Sequence, residues 1–137
     1  MNRPKRSGKD RNHYIPRNFM ENHCDNFSWS PKAVRGSSMA YTANFEGVGL
    51  LLIDLSNYGG VLPDWHIETS LGTAAWLEMK DPSAFSVKNH ELLAGELKPG
   101  EKWLMDNCHI PLFIIETEHD FYYALKRLLK GKQNDEA

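Results

Sequence analysis

The chain has 137 residues, which gives room for one hydrophobic core and not for two. Its residues are 41% hydrophobic and 25% charged, a globular composition that excludes an intrinsically disordered chain. The longest uncharged apolar run, Val48 to Ile53, is far too short to cross a bilayer. The net charge of −2 is unevenly spread. Residues 1–17 hold Arg3, Lys5, Arg6, Lys9, Arg11 and Arg17 against a single acid, Asp10, a charge of +5 that leaves −7 for the rest. A basic arm on an acidic body suits a protein that touches a polyanion. No apolar stretch follows the basic residues, so a secretory signal is not expected. With only Cys24 and Cys108, a reducing cytosol is the expected setting.

In chain order, residues 1–32 are rich in Asn, Arg, Lys, His and Pro without a sustained period. They are expected to be a mostly irregular arm, pinned to the body by Tyr14, Ile15, Phe19, Phe27 and Trp29. A helix is expected from Pro31 to Val48, on the loose spacing of Met39, Ala43 and Val48. Gly49 to Leu55 predicts a buried strand, closed by the turn signal Ser56 to Gly60. Leu62 to Thr69 and Ala74 to Lys80 predict two more strands around a hairpin connection, Ser70 to Thr73. Asp81-Pro82 ends the second. Pro99 to Cys108 reads as a helix with Pro99 in its first turn and Trp103 and Leu104 on its apolar side. Leu112 to Ile115 reads as a fourth strand. Thr117 to Asp120 is a capping box. It opens a helix whose stripe is Phe121, Ala124, Leu125 and Leu128, and Gly131 is expected to stop it. The expected architecture is therefore an α/β domain with one mixed sheet over 33–131, followed by a polar tail at 132–137.

The chemistry sits on the central hairpin. Strand side chains alternate faces, so Ala75, Leu77 and Met79 share the core face while Trp76, Glu78 and Lys80 share the other. Glu78 and Lys80 stand about 7 Å apart on that face, and the hairpin can bring the Asp64 carboxylate beside Glu78. Hard divalent cations take carboxylate oxygens together with phosphate and water. Asp64, Glu78 and the carbonyl of Met79 are thus candidate Mg²⁺ ligands, and Lys80 can orient a water or offset charge on a phosphorane. His66 and Glu68 follow on the strand face of Asp64 and are candidates to contact substrate. Trp65 is expected in the core. Tyr122 and Tyr123 read as packing groups, and Lys126, Arg127, Lys130 and Lys132 as cations favouring a helix C-terminus. His23-Cys24 and Cys108-His109 are residue types of a zinc site, but their spacing does not match one.

Leu62-Pro63-Asp64, followed by Glu78-Met79-Lys80, resembles the PD-(D/E)XK motif of the restriction-endonuclease-like nucleases. The stretch from Gly49 to Leu128 is similar to their small phage-type and VRR-NUC-like members. The resemblance implies an αβββαβ restriction-endonuclease-like core, dependence on Mg²⁺ or Mn²⁺, and Asp64, Glu78 and Lys80 as the catalytic centre. Val61 and Leu62 stand between Gly59-Gly60 and Pro63-Asp64, where the family has glycine directly before proline. Glu101 falls where many members carry a glutamine, and Glu46 is the nearest acid to the expected first helix. The expected function is that of a metal-dependent DNA endonuclease, structure-selective on branched DNA and dimeric as a resolvase would be. The basic residues Arg3, Lys5, Arg6, Lys9, Arg11 and Arg17 would bind the DNA backbone. The alternatives are a nucleic-acid-binding or virion-associated protein that keeps the fold without cutting, and a toxin-like RNase.

Overall fold

The computed structural model describes residues 12–32, 39–56 and 62–136, the last six as backbone alone. In chain order the elements are α1 (Ile15–His23), β1 (Asp25–Trp29), β2 (Ala40–Phe45), β3 (Val48–Asp54), β4 (Trp65–Thr69) and β5 (Ala74–Met79). A 3-10 turn at Pro82–Ala84, α2 (Pro99–Asn107), β6 (Leu112–Ile115) and α3 (Glu118–Glu136) follow. The strands form one six-stranded sheet in sequence order. Every neighbouring pair is antiparallel except β5 and β6, which run parallel across the crossover that holds α2.

Period-two alternation decides which side of the sheet meets the core. The register places Tyr41, Leu52, Ile67 and Ala75 in one row across β2–β5, and Leu52, Ile67 and Ala75 have no exposed surface. Helices α1 and α3 cover this side and pack on each other through Phe19 and Phe121, whose rings meet edge to face at 5.3 Å. The stripe Phe121, Ala124, Leu125 and Leu128 is buried as its spacing predicts. Each large apolar side chain removed from water in this way stabilises the fold by about 1.5–3 kcal/mol. The opposite side carries Thr42, Asn44, Leu51, Ile53, His66, Glu68 and Trp76. Among the described residues it is covered by no helix comparable to α1 or α3, and α2 buries none of its own residues. No helix among the described residues is long and apolar enough to cross a membrane.

The strand from Gly49, the hairpin, the helix at Pro99, the strand at Leu112 and the last helix stand where the sequence predicts them. The hairpin turn closes through Thr69 N–H to the Thr73 carbonyl, with Gly72 at φ +89°. The box opening α3 is reciprocal: Thr117 Oγ1 accepts from Asp120 N–H, and Asp120 Oδ2 accepts from Thr117 N–H at 3.0 Å.

Four expectations are corrected. Residues 12–32 are not mostly irregular, because α1 and β1 lie within them, while residues 1–11 of the expected arm lie outside the described residues. Pro16, Phe19 and Met20, at i, i+3 and i+4, bury one face of α1 in the core. Of the helix expected from Pro31 to Val48, residues 33–38 lie outside the described residues, and the rest holds instead β2 and the start of β3, joined by Glu46 (φ 52°) and Gly47 (φ 83°). Two left-handed residues match a two-residue hairpin turn, and Thr42 and Asn44 alternate outward between Tyr41, Ala43 and Phe45. Gly131 does not stop α3, which runs on to Glu136; one interior glycine costs about 1 kcal/mol relative to alanine, too little to end a docked helix. Trp103 is not on a buried side of α2 but is 60% exposed.

Candidate active site at the hairpin end

The site is built where β4 begins and β5 ends. Pro63 is fully buried and fixes the backbone just before β4, so Asp64 enters from the strand's first step. From there Asp64 Oδ2 accepts the backbone N–H of Met79 at 2.9 Å. The N–H and C=O of one residue leave an extended strand on the same edge. The Met79 carbonyl therefore leaves β5 on the edge where Asp64 sits. On the next residue the edge reverses, and Lys80 N–H donates to the Ile115 carbonyl of β6.

Glu78 and Lys80 share the sheet side opposite the core, as alternation predicts. They are nonetheless only 7% and 9% exposed. The connection after β5 covers them: Lys80 Nζ donates to the Glu96 carbonyl at 2.5 Å and lies 3.6 Å from both Glu78 Oε2 and Glu101 Oε1. Glu101 stands in the first turn of α2, where its Oε1 also accepts the Lys98 N–H at 3.0 Å. Glu101 thus joins the group, and Glu46 does not. Glu46 lies at the far end of β3 and pairs with Lys126 at 3.1 Å.

Three carboxyls in so small a space repel one another. Burial first, then the charge of Asp64 and a hydrogen bond with Glu101, push Glu78 from its ordinary 4.5 up to about 9, against the pull of Lys80. Burial also raises Asp64, opposed by the Met79 amide and by the charges of His13 and Lys80. Such crowding marks a place where a cation would be welcome. Among the described residues no three Asp, Glu, His or Cys side chains form a ready-made cage. The donors that a hard cation could use here are two carboxylates and one carbonyl, those of Asp64, Glu78 and Met79, with water or phosphate completing the set.

The chain matches no family model, no curated protein and no solved structure.

The N-terminal segment supplies neighbours that no motif spacing gathers. Asn12 Nδ2 donates to the Lys80 carbonyl at 2.7 Å and to the Glu116 carbonyl at 3.1 Å, tying the ends of β5 and β6 together. His13 is buried, stacks on Trp65 at 5.1 Å and accepts the Trp65 indole N–H at its own carbonyl. Its Nε2 lies 3.5 Å from Asp54 Oδ2 at the end of β3. The signal for Asp54 was present: an acid closing an apolar strand, in phase with the buried Leu50 and Leu52.

The expected DNA-binding residues fare unevenly. Arg3, Lys5, Arg6, Lys9 and Arg11 lie outside the described residues. Arg17 sits on α1 over the ring of Tyr14 at 4.4 Å and donates to Asn18 Oδ1. His23 pairs with Glu118 at 3.3 Å, while Cys108 Sγ lies 3.1 Å from the Ile110 carbonyl.

Proposed function

We propose that the protein is a metal-dependent DNA endonuclease of the PD-(D/E)XK type. One observation carries the reading: Asp64, Glu78 and Lys80 meet at one end of the sheet, both acids raised by burial and the lysine buried against them. The elements β3, β4, β5, α2 and β6 follow in the order of the αβββαβ core, with β1 and β2 inserted between α1 and that run.

Asp64, Glu78 and the Met79 carbonyl would hold Mg²⁺ or Mn²⁺. Bound there, such an ion polarises a phosphoryl oxygen and lowers the pKa of a coordinated water. The chain's own groups do the rest. Lys80, steadied by the Glu96 carbonyl and by Glu101, is the cation that orients an attacking water and offsets charge building on the phosphate. Glu101 shares a hydrogen bond with Glu78 and keeps that carboxyl in place. The arm from Arg3 to Arg11, with Arg17, supplies backbone affinity that weakens with salt.

The test is cleavage of labelled four-way junction, nicked, single-stranded and plain duplex DNA. Each runs with Mg²⁺, Mn²⁺ or EDTA, for wild type beside Glu78→Gln and Lys80→Ala. Metal-dependent cutting lost in both variants is expected, and preference for the junction would support resolvase-like action by a homodimer. No cutting of any substrate, with DNA binding indifferent to EDTA, overturns the reading and leaves a binding protein.

A further inference from the structure

His66 and Trp76 are cross-strand partners on β4 and β5, on the side of the sheet that α1 and α3 leave open. Their rings touch at 4.8 Å between centroids, tilted by 59°. Each stands two residues from a site acid, His66 after Asp64 and Trp76 before Glu78, a spacing of about 7 Å along the strand. Both are partly buried, so neither is a free surface side chain. His66 is held by one nitrogen only: Nε2 is bonded to Glu68 Oε2 at 3.0 Å. Its Nδ1 is buried and has no hydrogen-bond partner among the described residues. A buried polar atom left unpaired is costly, so it invites a ligand group to complete it. Beyond Glu68 the same side dips into a shallow cavity of about 520 Å³, with Thr42, Asn44 and Leu51 among its lining.

Given the nuclease reading above, on which this rests, we propose that His66 and Trp76 form a platform that holds one unpaired base next to the scissile phosphate. The base stacks on the Trp76 ring, and a polar edge atom completes His66 Nδ1. A base inside a continuous duplex cannot present its face in this way, whereas one at a junction, flap or single strand can. The substrate class is therefore nucleic acid with an unpaired nucleotide at the cut. Whether the sugar is deoxyribose or ribose is read from the strand that binds.

The platform is tested by binding, apart from cutting. Fluorescence anisotropy in EDTA compares an eight-nucleotide oligo-dT strand, a fully abasic strand of the same length and charge, oligo-rU and a blunt duplex. Wild type is expected to hold oligo-dT roughly tenfold tighter than the abasic strand. That preference should shrink to about twofold in Trp76→Ala and persist in Trp76→Phe, with thermal melts showing that both variants fold. Equal affinity of wild type for oligo-dT and the abasic strand overturns the platform, as does a preference unchanged in Trp76→Ala. Tighter oligo-rU than oligo-dT keeps the platform and assigns it to RNA. The two readings fail separately. A protein that cuts with Mg²⁺ but ignores bases loses only the platform, and one that prefers bases but never cuts loses only the nuclease.

Discussion

Asp64 Oδ2 accepts the backbone N–H of Met79 at 2.9 Å. The first acid of the site is thereby tied to the strand that carries the other two site residues. Removing the carboxylate charge and removing the hydrogen bond are different operations, and two substitutions separate them. Asp64→Asn keeps an acceptor for Met79, so melting should change little while cutting falls about 10²-fold or more. Asp64→Ala orphans a buried N–H at a cost of about 1–3 kcal/mol and should lower the melting temperature as well. Thermal melts beside cleavage rates check both, and equal melting of the two variants would count against the structural half of this assignment.

Glu78 makes the metal-free protein sensitive to alkali. Its carboxyl is raised to about 9 by burial and by its acidic neighbours, so between 4.5 and 9 the native state keeps a proton that the unfolded chain has lost. The stabilising contribution is complete below about 4.5 and is lost as pH rises through 9. Glu78→Gln cannot ionise and should melt a few degrees higher than wild type at pH 8 in EDTA, while being inactive. Melting temperature against pH checks this; parallel curves for the two proteins would refute it.

Asp54 acts in the opposite sense. Burial works against its charged form, but hydrogen bonds from His13 and Ser56 outweigh that and leave it below its ordinary 3.8. Its contribution is present above 3.8 and fades as pH falls through the native value. Asp54→Asn should melt lower than wild type at pH 6 by the equivalent of about 1 kcal/mol, and the gap should narrow as pH falls below 3.8. Acid titration of melting temperature for the pair gives the answer.

Helix α1 belongs to the body, whereas residues 1–11 carry five of the basic side chains proposed to bind DNA. Phe19 packs on Phe45 and Phe121, so Phe19→Ala should cost about 3–5 kcal/mol. Deleting residues 1–11 removes five basic side chains and leaves Asn12, His13 and the partners described above in the chain. Melting should stay unchanged, while the salt dependence of DNA affinity flattens by about 0.7–0.9 in slope for each phosphate that is no longer neutralised. A deletion that melts early would mean that those residues support the fold.

Local period and turn chemistry made most of the sheet legible. Gly49 to Leu55, the Ser70–Thr73 turn, and the stripe from Phe121 to Leu128 each announce their element within ten residues or so. Helix α1 was hidden because Tyr14 stands at its N-cap, where Ser, Thr, Asp or Asn would announce a helix start, and asparagines break up its pattern. Strand β2 was hidden because alanines at 40 and 43 suit helix and strand alike, and Glu46-Gly47 carries no stronger turn signal than a glycine inside a helix. The three motif residues were legible as a motif. Asn12 and His13 were not, because their partners lie 68, 104 and 41 residues away, and no spacing rule reaches that far.

The Asn12 side chain spans both strand ends at the site, reaching Lys80 and Glu116 together. During synthesis that clasp can reach only Lys80, and cannot join the two strand ends, until Glu116 has left the ribosome, although the β3–β4–β5 meander can pair long before. A half-made chain would thus carry the acids of the site on strands still free to slip. If those acids cut DNA, the clasp works as a delay, withholding activity until the chain has been made through Glu116.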